Sequence, residues 1–164
     1  QWMRSMPDEV FSQRLREAIE KDLPAITQDP NFLRKVLLVK DRVQFFHEAA
    51  SMLRYFYEDP VVSIDVMASA KQKVTPDILP RLLDLLIAAL ESISEKDWTE
   101  ESLKEAISSV TEKENLKLGQ LLWPLRAALT GLPFSPGAYE VAAVLGRDIT
   151  LRRLATARKA CTGA

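Results

Sequence analysis

The stretch Lys117–Gly131, KLGQLLWPLRAALTG, constrains the fold more than any other part of this chain. Its residues Leu118, Leu121, Leu122, Leu125, Ala128 and Leu129 recur at three and four positions, the spacing that lays one apolar stripe along an α-helix. Pro124 falls inside that stripe. Proline has no N–H to donate and crowds the carbonyl four residues earlier, so the helix is expected to kink or restart there. Gly131 is expected to close it, with Ser135 as the cap and Pro136 as the first position of the next helix. A lone arginine, Arg126, stands just past the proline.

The rest of the chain carries the same periodicity. Pro7, Asp8 and Glu9 read as a helix start with acids in its first turn, followed by the stripe Val10, Phe11, Leu15 and Ile19, which runs out near Pro24. A second helix is expected after Asp29-Pro30. Residues 42–57 read as continuously helical and rich in aromatics, and the segment 61–74 as a hinge that holds at most a short helix. Thr75-Pro76-Asp77 opens the clearest helix, with Pro80 tolerable near its first turn, and Thr99 caps another. Three more helices follow, over 116–130, 136–145 and 148–160. No stretch alternates with a period of two between hairpin turns. The expected fold is therefore all-α, a helical cage of two packed sub-domains without a sheet, divided as 1–60 and 61–164.

Composition narrows the function. With 164 residues, 47% of them hydrophobic, the chain can bury a core of its own. Cys161 is the single cysteine, so an intrachain disulfide or cysteine-based zinc site is excluded, in keeping with a reducing cytoplasmic setting. No leader pattern opens the chain and no apolar run reaches membrane-spanning length, so no membrane partner is expected. The formal net charge of −1 runs against a nucleic-acid binder. Cations do gather locally, at Arg34, Lys35, Lys40, Arg42 and Arg54 and again at Arg147, Arg152, Arg153, Arg158 and Lys159, while acids gather between Glu91 and Glu105. Such segregation is compatible with one basic face.

Catalytic chemistry is not in evidence. There is no glycine-rich phosphate loop and no nucleotide-binding βαβ unit. His47 is the only histidine, which excludes a two-histidine metal site. The carboxylates Glu100, Glu101, Glu105 and Glu112 read as a solvated helix face rather than an acid–base pair. No catalytic residue, metal ligand or cofactor is expected within this chain.

The run KLGQLLWPLRAALTG, with LPFSPGAYEVAAVLG after it and a last helix bearing Arg152 and Arg153, resembles the C-terminal anticodon-binding region of bacterial glutamyl-tRNA synthetases. KDRVQFFHEAASMLRYFYEDP and the opening QWMRSM extend the resemblance upstream, the latter resembling the junction where the family leaves its catalytic half. The HIGH-type and KMSKS-type motifs of class I synthetases do not occur here. The resemblance implies recognition of the tRNA(Glu) anticodon, with ATP and Mg2+ used by a separate catalytic domain, and no role for DNA. It places Arg42 on the arginine that reads the third anticodon base and Arg126 on a second arginine beside the first base, with Ser135, Pro136 and Ala138 packed around that base. Ser135 and Ala138 stand where some members have threonine and leucine, which implies a looser pocket. Arg147, Arg152 and Arg153 are candidates for the tRNA backbone.

Each assignment has a plainer rival. The plainer reading of Arg42 is that it neutralises Asp41 or Glu48, and that of Arg126 is a bridge from its helix to a neighbour, while the last helix would serve equally as a solvated basic face. Trp123 reads as a core anchor, Trp2 and Trp98 as packing, and Tyr55 and Tyr57 as either packing or stacking residues. At the level of the whole chain, the rivals are a non-discriminating synthetase module that also accepts tRNA(Gln), and a helical protein–protein interaction module.

Overall fold

The structure, a computed structural model, describes residues 2–162. Among them are nine α-helices linked by turns and short 3-10 segments, and no strand; Ser69 and Val74 form an isolated antiparallel bridge. The fold is all-α. The chain divides into two compact units, one running to Asp59 and the other beginning at Pro60.

In the first unit, α1 (Asp8–Ile19) packs against α2 (Phe32–Val39) and the short α3 (Ala49–Leu53). Asp8 and Glu9 occupy the first turn of α1, where the positive end of the helix dipole favours acids. Phe11, Leu15 and Ile19, spaced by four, are fully buried together with Phe32, Val36 and Leu53. The half-buried carboxylate of Asp29 ties three segments together. It accepts hydrogen bonds from the Asn31 N–H at 2.9 Å, from Lys35 Nζ at 2.8 Å and from the Tyr57 hydroxyl at 2.6 Å.

The continuous helix expected over 42–57 does not form. Val39 leads into a turn, and Phe45 adopts an extended backbone (φ −131°, ψ 144°). The chain then resumes as a 3-10 turn at Phe46–Glu48, α3, and a second 3-10 turn at Arg54–Phe56. Glu48 supplies the physical reason. Its carboxylate accepts the backbone N–H groups of Gln44 and Phe45, both at 3.1 Å, and so holds open the break that a helix would close. Tyr55 is buried, and Tyr57 is engaged with Asp29.

The second unit holds α4 (Ile64–Met67), α5 (Leu79–Glu91), α6 (Glu100–Glu114), α7 (Leu118–Thr130), α8 (Ala138–Leu145) and α9 (Arg147–Ala160). α5 is the central element, packed against α6, α7 and α9, while α7 also meets α4, α8 and α9. Leu79, Leu83, Leu86 and Leu90 of α5 are fully buried, as are Leu121, Leu125 and Leu129 of α7 and Leu154 of α9. At about 1.5–3 kcal/mol for each fully buried aliphatic side chain, this stripe supplies the main cohesion of the unit. α5 begins at Leu79 rather than at Thr75, and Pro80 lies in its first turn as expected. Thr99 caps α6, its hydroxyl accepting the Ser102 N–H at 3.2 Å.

Pro124 lies inside α7, which runs through it as one helix. The proline denies the Gln120 carbonyl its usual acceptor role, but the flanking turns are held by packing on both sides. Gly131 ends α7 in the left-handed region (φ +66°), as its place in the sequence suggested. The next helix begins two residues later than expected: α8 starts at Ala138 with Gly137 at the cap, and the Ser135 hydroxyl donates to the Pro136 carbonyl instead of capping.

Candidate nucleic-acid interface

Arg126 sits one turn from the end of α7 and is 9% exposed, unusual burial for an arginine. Its Nη1 donates to the Leu132 carbonyl and faces Ser135 Oγ at 3.5 Å, so one guanidinium edge fastens the loop after Gly131. The centre of the guanidinium lies 4.4 Å from the Trp123 ring centroid, a cation–π contact between neighbours three apart on the helix. Among the described residues Nη2 has no hydrogen-bond partner, and neither has Trp123 Nε1. Burial pulls the Arg126 pKa below its ordinary value by desolvation, yet an arginine keeps its proton in proteins. A buried charged donor without an acceptor costs about 1–3 kcal/mol. That energy becomes available to any ligand that brings the acceptor.

Both unpartnered donors belong to residues that wall a cleft of about 290 Å³, completed by Gln72, Gly119, Leu122, Gly137 and Ala138. Of the residues expected around Arg126, Ala138 lines the cleft, Ser135 is held by Arg126, and Pro136 is buried alongside. Trp123, expected as a core anchor, is half-buried and forms a wall of the cleft. The reason is its register on α7: Leu121 and Leu125 take the buried face, leaving position 123 turned away from it.

Arg42 belongs to the first unit and is exposed in the turn after α2. Its Nη1 donates to the Leu38 carbonyl at 2.9 Å, an arrangement that satisfies one of the open carbonyls of a helix C-terminus. It forms no ion pair with Asp41 or Glu48, the latter being committed to Gln44 and Phe45. Val43, Gln44 and Phe45, which follow it, line a cleft of about 480 Å³ with Met3 and Arg4.

The last helix commits two of its arginines to backbone carbonyls. Arg153 is 5% exposed and donates Nη1 to the Leu129 carbonyl at 2.6 Å, while Arg147 donates Nε to the Ile93 carbonyl at 2.8 Å and Nη2 to the Glu91 carbonyl at 3.0 Å. The two therefore satisfy carbonyls at the ends of α7 and α5. Arg152 is exposed. Trp98, also expected only to pack, donates Nε1 to the Ala142 carbonyl at 2.9 Å. Trp2 is 63% exposed, with Arg14 over its ring.

A family model described as "Anticodon binding domain" matches residues 10–158, and the chain belongs to that family. It is 33% identical over 131 residues to a glutamate–tRNA ligase of Clostridium acetobutylicum, an alignment covering 79% of this chain and 27% of that protein. It is 40% identical over 116 residues to a glutamate–tRNA ligase of Afipia carboxidovorans, covering 71% and 24% respectively. The fold matches the crystal structure of a glutamate tRNA ligase from Elizabethkingia meningosepticum with a TM-score of 0.80 at 24% identity, over 97% of this chain and 30% of that one. The chain thus spans roughly a quarter to a third of the length of these relatives.

Gln72, Gly119 and the true position of Trp123 were not picked out by sequence reasoning. Gly119, inside the KLGQ run, was the one available signal: a glycine in the first turn of a strong helix marks a close approach.

Proposed function

We propose that this chain is the anticodon-reading part of a glutamate–tRNA ligase, working in the cytoplasm with tRNA(Glu) as its partner. The observation that carries the proposal is the buried, stacked Arg126 with an unpartnered Nη2 on the wall of a nucleobase-sized cleft, in a chain that matches the anticodon-binding family along most of its length. An anticodon offers unpaired bases whose Watson–Crick edges can be read by fixed donors. Arg126 reads at the first anticodon base with Ser135, Pro136 and Ala138 around it, and Arg42 reads the third.

Arginine suits cytosine at that third position, because its donors meet the O2 and N3 acceptors. Guanine would oppose them with its own N1–H and N2–H groups. The expected discrimination is about 1–3 kcal/mol. On this reading, the Mg2+ and ATP of aminoacylation belong to a catalytic domain joined to this part.

The test is titration of the chain with tRNA(Glu) anticodon stem-loops bearing C or G at the third position, at low and moderate salt. The wild type is expected to prefer C, Arg42→Gln to lose that preference by about tenfold, and Arg126→Ala to weaken binding and blunt sensitivity to the first base. Equal affinity for C and G in the wild type would favour a non-discriminating module. Folded variants with unchanged affinity and unchanged preference would remove both site assignments.

A further inference from the structure

The turn between Ser69 and Val74 is not used by the reading above, yet it is held with care. Two backbone hydrogen bonds of 2.9 Å, Ser69 N–H to Val74 O and Val74 N–H to Ser69 O, close its ends. Lys73 takes a left-handed conformation (φ +57°), uncommon for a lysine. Gln120 of α7 donates Nε2 to the Lys73 carbonyl at 3.2 Å, clamping the turn to the helix. The Gln72 N–H donates to Ser69 Oγ at 3.3 Å. The tip residue, Gln72, is therefore positioned from both sides.

Gly119 makes room for it. A Cβ built on Gly119 would stand 2.0 Å from Gln72 Oε1, so the carboxamide occupies the space that any other residue's side chain would take. Among the described residues the Gln72 carboxamide has no hydrogen-bond partner, and it borders the same cleft as Arg126 and Trp123. Lys71 and Lys73, its neighbours, are exposed and form no ion pair with a described residue.

We propose that the Lys71-Gln72-Lys73 turn is a nucleotide-contacting element: Gln72 completes the polar rim that reads one unpaired base in the cleft, and the two lysines meet the flanking phosphates. The inference rests on the anticodon reading proposed above. Arg126 Nη2 and Trp123 Nε1 are buried donors without a partner among the described residues, and together they require two acceptors. A pyrimidine supplies them, O2 and N3 in cytosine or O2 and O4 in uracil. In cytosine the group left is the amino at the end of that edge, and Gln72 Oε1 accepts it; in uracil it is the N3–H between the two acceptors, and the Gln72 carboxamide shifts to the middle of the edge to accept it. Guanine opposes the two donors with donors of its own, and adenine offers one acceptor on the same edge. The cleft is thereby selective for a pyrimidine at the first anticodon position.

The experiment measures binding of the chain to four tRNA(Glu) anticodon stem-loops that differ only at the first base. The wild type is expected to bind C and U more tightly than A and G. Gln72→Ala and Gly119→Ala are each expected to weaken binding of the pyrimidine stem-loops about tenfold, the loss of one base-edge contact, and to flatten the preference. Gly119→Ala is the sharper variant. The atom it displaces is the end of a flexible side chain, and alanine favours a helix over glycine, so Tm should hold or rise while binding falls. Lys71→Gln is expected to weaken all four stem-loops equally and to reduce the salt slope by about one.

Wild-type affinity and preference in both Gln72→Ala and Gly119→Ala, with Arg126→Ala impaired, would overturn the inference and leave the anticodon reading standing. A loss equal for all four bases would overturn base reading by Gln72. No binding of any stem-loop by the wild type at low salt would overturn both.

Discussion

Asp29 shows how one side chain can set the acid sensitivity of a unit. Burial pushes its carboxyl pKa up, but the hydrogen bonds from Lys35, Tyr57 and the Asn31 N–H outweigh burial and hold it below the usual carboxylate value. A carboxylate whose folded pKa is depressed stabilises the fold above its unfolded pKa of about 3.9, and that stability is lost as pH falls through the folded value. Denaturant unfolding of the wild type should therefore shift to lower denaturant below about pH 4. Asp29→Asn should be less stable at neutral pH and lose part of that acid dependence. An identical pH profile in the two would remove Asp29 from the explanation. The neighbouring Tyr57 hydroxyl, pushed well above its ordinary pKa by burial and by Asp29, remains the donor throughout that range. Arg126 presents the opposite case at the same scale: nothing in its sequence position declares that one edge is spent on Leu132 and Ser135 while Nη2 is left without a partner.

Among the elements, α7 carries two glycines with opposite expected behaviour. Gly131 takes φ +66°, and a Cβ there would lie 2.9 Å from Pro60 Cβ and 3.1 Å from the Val61 carbonyl oxygen. Gly131→Ala should cost at least about 1–2 kcal/mol from the left-handed backbone alone, read as a fall in Tm. Gly119 has an ordinary helical backbone, and alanine there should not destabilise. If Gly131→Ala left Tm unchanged, the left-handed ending of α7 would be wrong. Helix ends marked by glycine, threonine or proline were legible: Gly131, Thr99 at the start of α6, and Pro80 in the first turn of α5. The break within 42–57 was not legible, because no proline or glycine makes it. It is made by the Glu48 carboxylate reaching back to two N–H groups. Ser135-Pro136 misled for a related reason: the pattern of a helix start was present, but Ser135 was taken up by Arg126 and the helix waited for Ala138.

For the whole molecule, the basic clusters visible in the sequence overstate the charge available to RNA. Lys35 pairs with Asp29 at 2.8 Å, Lys40 with Asp8 at 2.7 Å, Arg54 with Glu58 at 3.1 Å and Arg158 with Asp84 at 2.8 Å, while Arg147 donates to helix-end carbonyls. Arg34, Arg42, Lys71, Lys73 and Lys159 remain exposed without an ion pair to a described residue. Lys71 and Lys73 at phosphates, with one further cation of this set, make roughly three phosphate contacts and predict a shallow salt dependence, a log–log slope near −2 for single-stranded RNA. Stem-loop affinity measured between low and moderate salt checks this, and a slope beyond about −5 would mean a broader basic surface than these residues provide.

The chain's own pattern determined that it is all helical, where most helices end, and that Arg126 lies beside a proline-bearing helix followed by a glycine stop. These follow from periodicity and capping, which act over three or four residues and so can be read along the chain. Tertiary structure alone decided which cations are consumed, that Trp123 is a cleft wall, and that a turn some fifty residues upstream lays Gln72 into the space left by Gly119. Those outcomes depend on side chains distant in sequence competing for the same hydrogen bonds and the same volume, and no local pattern records which of them prevails.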